Sequence, residues 1–108
     1  MKLTILVDNN TFIDQYYYGE PAVSYYIETE GKKILFDTGY SDVLIRNAEL
    51  MGIDLKAVDD IVISHSHNDH TRGLQFLNEY MDLSEVELIS HPACFVKKYV
   101  DGLYIGPP

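Results

Sequence analysis

Cys94 is the only cysteine among the 108 residues, so the chain cannot close an intrachain disulfide, and a metal site built of thiolates alone is excluded. A reducing cytoplasm suits that usage best. Basic residues are scarce: 8 Lys and Arg stand against 17 Asp and Glu, a formal net charge of −9. Such a balance repels a phosphate backbone instead of displacing its counterions. The two basic pairs, Lys32-Lys33 and Lys97-Lys98, sit in no basic, aromatic-rich context of the kind that reads bases. Long hydrophobic runs are missing too. The apolar part of the opening MKLTILVDNN is too short for the h-region of a signal peptide, and no stretch approaches the roughly 20 residues that span a bilayer. These absences point away from nucleic acid and membrane, and toward a soluble cytoplasmic protein.

What is present suffices for one domain. A chain of 108 residues buries roughly 65% of its unfolded surface, so a real core is available. Lys2 to Val7 is rich in aliphatic and β-branched residues and reads as a strand ended by Asp8, Asn9 and Asn10. A loop carrying Tyr16, Tyr17 and Tyr18 follows. These tyrosines can cover a core edge with their hydroxyls wet, or form a lid or partner surface. Ala22 to Glu28 and Lys33 to Phe36 are strands joined by TEGK, where Gly31 supplies the positive φ of a tight hairpin. Leu44, Ala48, Met51 and Leu55 then recur with helical spacing, predicting a helix over about 41 to 51 with Ser41 as N-cap and Gly52 just past its end. Asp60 to Ser64 reads as a short strand, Leu74, Leu77 and Met81 as a helical stripe, and Glu85 to Ser90 as a last strand closed by His91-Pro92.

ILF at 34–36 and IVI at 61–63 are apolar at consecutive positions, so both pleat faces carry large side chains, as in strands covered on both sides. The two expected helices cover one face. No further layer is evident for the other.

Three of the four histidines fall in SHSHNDHTRG, residues 64–73. Zinc and similar divalent ions take imidazole nitrogen and carboxylate oxygen at about 2.0–2.2 Å, so the ligands must converge from a rigid base such as a buried strand end. His65 and His67, two apart in extended chain, present both rings on one side. Asp69 and His70 follow where the chain turns, beside a second position. Two ions sharing a bridging water is the product of that geometry, each adding charge that stabilises hydroxide. A histidine-rich polar surface loop is the alternative, but so dense a cluster around an aspartate favours metal.

SHSHNDH resembles the H-x-H-x-D-H signature of the metallo-β-lactamase-fold superfamily of metal-dependent hydrolases. The string from Lys33 to Leu74, with its FDTG turn, N-A helix and histidine loop, is similar to the branch related to dihydropterin synthase-like proteins of methanopterin biosynthesis, as are the later SHPACFVKKY and IGPP. The resemblance implies an α+β fold: half of an αββα sandwich, with a mixed, largely antiparallel sheet and helices on one face. It implies that residues 1–108 form a single, incomplete domain corresponding to the amino-terminal half. His65 and His67 would bind a first ion, and Asp69 and His70 a second. Asp69 would also orient the nucleophilic water, making it the catalytic residue.

Asp37 matches the aspartate of the family's DTG turn. There it could hold a ligand imidazole in one tautomer through the other ring nitrogen, or simply bond to nearby turn backbone. Ser66 and Arg72 stand where that branch shows glycine. Arg72 could face an anionic substrate, although an exposed loop arginine is the blander reading. His91, after the second helix, is left as a further ligand or substrate contact, or as an ordinary strand boundary.

The expected function is a metal-dependent hydrolase, with metal-activated hydroxide attacking a small ester, phosphoester or lactone-type substrate. Its cofactors would be two divalent ions, zinc first, with manganese or iron as alternatives. The family's downstream histidines and bridging aspartate have no counterparts in these residues. The competing expectation is therefore a non-catalytic half-module that binds metal weakly or pairs with a partner, as a homo-oligomer or with a complementing half. Oxygen-reducing di-iron chemistry is disfavoured, because His67 stands where that group resembles H-x-E-x-D-H.

Overall fold

The computed structural model describes residues 1–8, 17–65 and 67–91, with the backbone at 99–100 and 103–104. The expected turn residues Asn9 and Asn10, together with Tyr16, Ser66, Pro92, Cys94, the Lys97-Lys98 pair and IGPP, lie outside the described residues.

β1 (Lys2–Val7), β2 (Ser24–Thr29) and β3 (Lys32–Phe36) form an antiparallel meander. The β2–β3 hairpin turns where expected, with Gly31 at φ +78°, a conformation that costs a residue without Cβ little. Beyond β3 the connections change character. α1 (Val43–Met51) carries the chain across to β4 (Asp60–Val62), and α2 (Asn68–Thr71) with α3 (Gly73–Tyr80) carries it on to β5 (Glu87–Ile89). Such crossovers return the next strand in the same direction, so β4 pairs parallel with β3 and β5 parallel with β4. The five-stranded sheet, in order β1-β2-β3-β4-β5, is mixed as expected. Its junctions are evenly divided between antiparallel and parallel, not largely antiparallel. β6 (Tyr99–Val100) and β7 (Leu103–Tyr104) make a separate antiparallel pair.

α1 begins later than its spacing predicts. Asp42, not Ser41, holds the N-cap position and makes no side-chain capping bond. The Ser41 hydroxyl instead donates to Glu20 Oε2 at 2.7 Å, while accepting a long 3.3 Å bond from the Val43 amide. Gly52 closes the helix in the left-handed conformation, φ +72°, as read. Leu44 and Ala48 are buried on its inner face and Leu55 is buried in a following 3₁₀ turn, Leu55–Ala57. Met81 lies past the end of α3 in extended conformation.

Register explains the core. Thr4, Tyr26, Leu35, Ile61 and Leu88 are successive cross-strand partners and so share one face. Tyr26, Leu35 and Ile61 are buried there with Leu44, Ala48 and Leu77 from the helices. The next row, Ile5, Tyr25, Phe36, Val62 and Ile89, shares the opposite face. No described element covers it: Ile5 is 49% and Ile89 44% exposed. Tyr25 and Phe36 stack at 6.3 Å on that face. The consecutive apolar residues of ILF and IVI thus divide between a helix-covered face and one without a described cover.

One inserted polar side chain joins the layers. Asn47 is buried in α1; its Nδ2 donates to the carbonyls of Leu6 and Tyr18, both at 2.7 Å, and its Oδ1 accepts from the Tyr18 amide at 2.8 Å. It fastens the end of β1 and the approach to β2 onto α1. Among the described residues no helix is long and apolar enough to cross a membrane.

Candidate metal centre

Because β3 and β4 run parallel, the Asp37-Thr38-Gly39 turn and the histidine loop leave the sheet at the same edge, the C-terminal ends of neighbouring strands. This is where open α/β sheets collect ligands. The Asp37 amide donates to the Val62 carbonyl at 2.8 Å, prolonging the ladder by a residue. Asp37 then adopts φ +58°, a left-handed conformation that short polar residues tolerate. Gly39 follows at φ +72°.

Three bonds sew this turn to the histidine segment. The Thr38 amide and hydroxyl both donate to the His70 carbonyl at 2.8 Å, and the Gly73 amide donates to Gly39 at 3.2 Å. Gly73 lies so close that a Cβ there would overlap the Thr38 carbonyl group. The His67 carbonyl accepts from the amides of His70 and Thr71 and from the Thr71 hydroxyl, which starts α2 and turns Asp69 and His70 back over the sheet edge.

The Asp37 carboxylate, 1% exposed, is the hub. Oδ1 accepts the Ser64 amide at 2.8 Å, and Oδ2 accepts the Ser64 hydroxyl at 2.6 Å and lies 2.7 Å from His70 Nδ1. An ionised carboxylate has no hydrogen to give, so His70 Nδ1 carries the proton. His70 Nε2 then lies 3.4 Å from Asp69 Oδ2.

His65, Asp69 and His70 each offer a ligand atom, all within 4.8 Å of one another. Donors about 2.0–2.2 Å from a shared tetrahedral ion are separated by about 3.3–3.6 Å, so the Asp69–His70 spacing fits a divalent ion. Two imidazoles and a carboxylate are also a chemically suitable donor set for zinc. The His65 ring sits 4.0 Å from the His70 ring and 5.0 Å from the His67 ring, centroid to centroid. His67 is therefore adjacent to the converging trio but outside it. Partial burial pushes the His65 imidazole below its ordinary pKa, and His70 and His67 push the same way against Asp37 and Asp69. The neutral, metal-binding form of His65 is thereby favoured.

The other expected residues fall nearby. His91 follows β5, exposed, and does not join the trio. Arg72 lies over the Tyr40 ring at 5.1 Å, with Nη1 3.3 Å from its hydroxyl. Two residues carry more of the site than their sequence signal foretells. Ser64 contacts both Asp37 and His65, and Glu20 holds the turn by accepting from the Tyr40 amide and Ser41 hydroxyl.

Known proteins resemble this chain in sequence and in fold. The sequence profile of the metallo-beta-lactamase superfamily matches residues 17–84. An uncharacterized protein of Methanocaldococcus jannaschii is 35% identical over 104 residues, covering 96% of this chain and 40% of that protein. The 7,8-dihydropterin-6-methyl-4-(beta-D-ribofuranosyl)-aminobenzene-5'-phosphate synthase of the same organism is 31% identical over 100 residues, covering 88% of this chain and 34% of the synthase. A ribonuclease Z of Clostridium botulinum is 38% identical over 99 residues, 83% of this chain and 30% of that enzyme. Among solved structures, that of Tm1679, a metal-dependent hydrolase of the beta-lactamase superfamily, superposes with a TM-score of 0.78 at 31% identity, covering 98% of this chain and 36% of the other. The chain thus spans 30–40% of the length of these relatives. On the fold, the converging donors and a profile match across more than half its length, the chain belongs to the metallo-beta-lactamase superfamily.

Proposed function

We propose that these residues form the amino-terminal half of a metal-dependent hydrolase domain acting on a small ester, phosphoester or lactone-type substrate. The observation that carries this reading is the convergence of His65, Asp69 and His70 with His70 oriented by the buried Asp37. His65 and His67 would serve one ion and Asp69 and His70 a second, with zinc the preferred metal and manganese or iron the alternatives. Divalent ions held there would supply Lewis acidity and would make water acidic enough to ionise near neutral pH. Asp69, with its side chain 39% exposed, would orient the attacking water. Asp37 keeps the His70 proton on Nδ1, which leaves Nε2 for the ion. The names of the synthase and the ribonuclease both involve phosphate esters, which favours the phosphoester end of the substrate range. A net charge of −9 favours a small substrate over a polynucleotide.

A second reading, a non-catalytic half-module, draws on the apolar row from Ile5 to Ile89, which no described element covers. A complementing half or a second copy would cover it. One experiment separates the readings. The native product, its length fixed by intact mass, is sized in solution, loaded with zinc, manganese or iron, and assayed on esters, lactones, phosphodiesters and RNA. The hydrolase reading expects turnover that His67→Ala abolishes. Full metal content with no turnover on any substrate sinks it in favour of the half-module.

A further inference from the structure

Asp37 reaches only one of the converging imidazoles directly, yet a second lies one hydroxyl away. Ser64 Oγ is 2.6 Å from Asp37 Oδ2 and 3.0 Å from His65 Nδ1. The serine has a single hydrogen to donate, and its two neighbours compete for it. Asp37 accepts at both oxygens from the Ser64 amide and His70, as an ionised, acceptor-only carboxylate does. The hydrogen in the short Ser64–Asp37 contact must therefore come from the serine, and charge assistance makes that the stronger of its two bonds. With its hydrogen committed, Ser64 Oγ presents only lone pairs to His65, whose Nδ1 must then carry a proton.

We infer that Ser64 is a positioning residue that relays the Asp37 carboxylate to His65, so that one buried oxygen, Oδ2, holds both His65 and His70 in the Nδ1–H tautomer, which leaves both Nε2 lone pairs free. The two imidazoles come from different parts of the loop, His65 from the end of β4 and His70 from α2. Separate partners could leave them in unlike tautomers. A shared acceptor aligns both, and the Ser64 amide bond to Oδ1 at 2.8 Å keeps that carboxylate from rotating away. Ser64 and His65 keep much of their surface in water although the His65 ring is partly desolvated, so water can partly replace the hydroxyl. The expected loss of metal affinity therefore lies near the lower end of the 10–100-fold seen when such supporting bonds are removed.

The inference rests on the metal-site reading, and its test keeps the two apart. Metal-free protein labelled with ¹⁵N-histidine is examined at roughly pH 8, above the ordinary imidazole range, for the protonated nitrogen of each ring. Zinc affinity is then measured by competition with a chelator. Wild type is expected to show Nδ1–H at His65 and His70. Ser64→Ala is expected to release His65 alone into the Nε2–H form that free imidazole side chains favour, with about 10-fold weaker zinc binding. Ser64→Thr, which keeps the hydroxyl, restores both readouts. Asp37→Asn disturbs both rings. An unmoved His65 tautomer in folded Ser64→Ala overturns the relay even if zinc binds normally. A tautomer change in protein that takes up no zinc leaves the relay standing and removes the metal-site reading.

Discussion

Gly73→Ala tests how tightly the site's two halves are held together, before any ion is added. A Cβ built on Gly73 comes 2.8 Å from the Thr38 carbonyl carbon and 2.9 Å from Thr38 Cβ, and overlaps the Thr38 oxygen. These atoms belong to the turn itself, so no flexible side chain can swing aside. The start of α3 must move away from the Asp37-Thr38-Gly39 turn. The bonds at risk are Gly73 to Gly39 and the two from Thr38 to His70. Overpacking of this kind costs about 1–3 kcal/mol, and one or two weakened hydrogen bonds add about 0.5–1.5 kcal/mol each. Alanine's higher helix propensity returns up to about 1 kcal/mol. The net expectation is a loss of about 2–4 kcal/mol. Urea unfolding of the metal-free protein should show a lower midpoint at unchanged slope, the mark of a stability change alone. The melting temperature should fall with it. Because His70 in α2 is joined to α3 through Arg72 alone, a shift of Gly73 should also strain its bond to Asp37, and zinc affinity should drop with stability. A variant within about 0.5 kcal/mol of wild type, the range of an ordinary surface substitution, would refute the proposed close approach.

Two further outcomes follow from other parts of the molecule. Asn47→Ala removes the partners of the buried Leu6 carbonyl and of both backbone groups of Tyr18. Tyr18 is 51% exposed and can turn to water, so the cost falls mainly on Leu6; about 1–3 kcal/mol is expected for a buried unsatisfied group, read by urea unfolding, and a neutral variant counts against the staple. The pH dependence has a definite sign: His65 is lowered by burial and by its histidine neighbours, so the unfolded chain binds more protons than the folded one across the imidazole range. Stability in chelator should therefore rise with pH through about 6.5 and fall as pH drops below it. His65→Gln should flatten that slope, and an equal or steeper slope in the variant contradicts the assignment.

The hairpin at Gly31 and the strand Lys2–Val7 are legible in the sequence because their signals are local: a glycine between apolar runs, and an aliphatic run followed by turn residues. The start of α1 is not, because the Ser41 hydroxyl is drawn to Glu20, 21 residues away. The even division of the sheet between parallel and antiparallel pairs likewise depends on which way the crossovers return, which spacing alone leaves open. At the site, the histidine cluster and the DTG turn stand out by residue type. Their grouping does not: the converging set takes His65 with Asp69 and His70, while two-residue spacing pairs His65 with His67. α2, begun on the His67 carbonyl, is what lifts Asp69 and His70 toward His65. Ser64 is inconspicuous in sequence because its role comes from what lies across the strand, not from what lies beside it.

The parallel pairing of β3 and β4 also has a kinetic side. Asp37 meets Ser64 across 27 residues and His70 across 33, with α1 and all of β4 in between. The β2–β3 hairpin closes over the two residues between Thr29 and Lys32, but the Asp37 carboxylate finds its partners only after that long loop has closed. Closing it carries an entropic cost that must be met before the contacts repay it. The donor set is therefore expected to assemble after the local β2–β3 hairpin as the chain folds. A chain halted at the meander would hold Asp37 without Ser64 or the imidazoles, and so would present no organised centre to a passing ion.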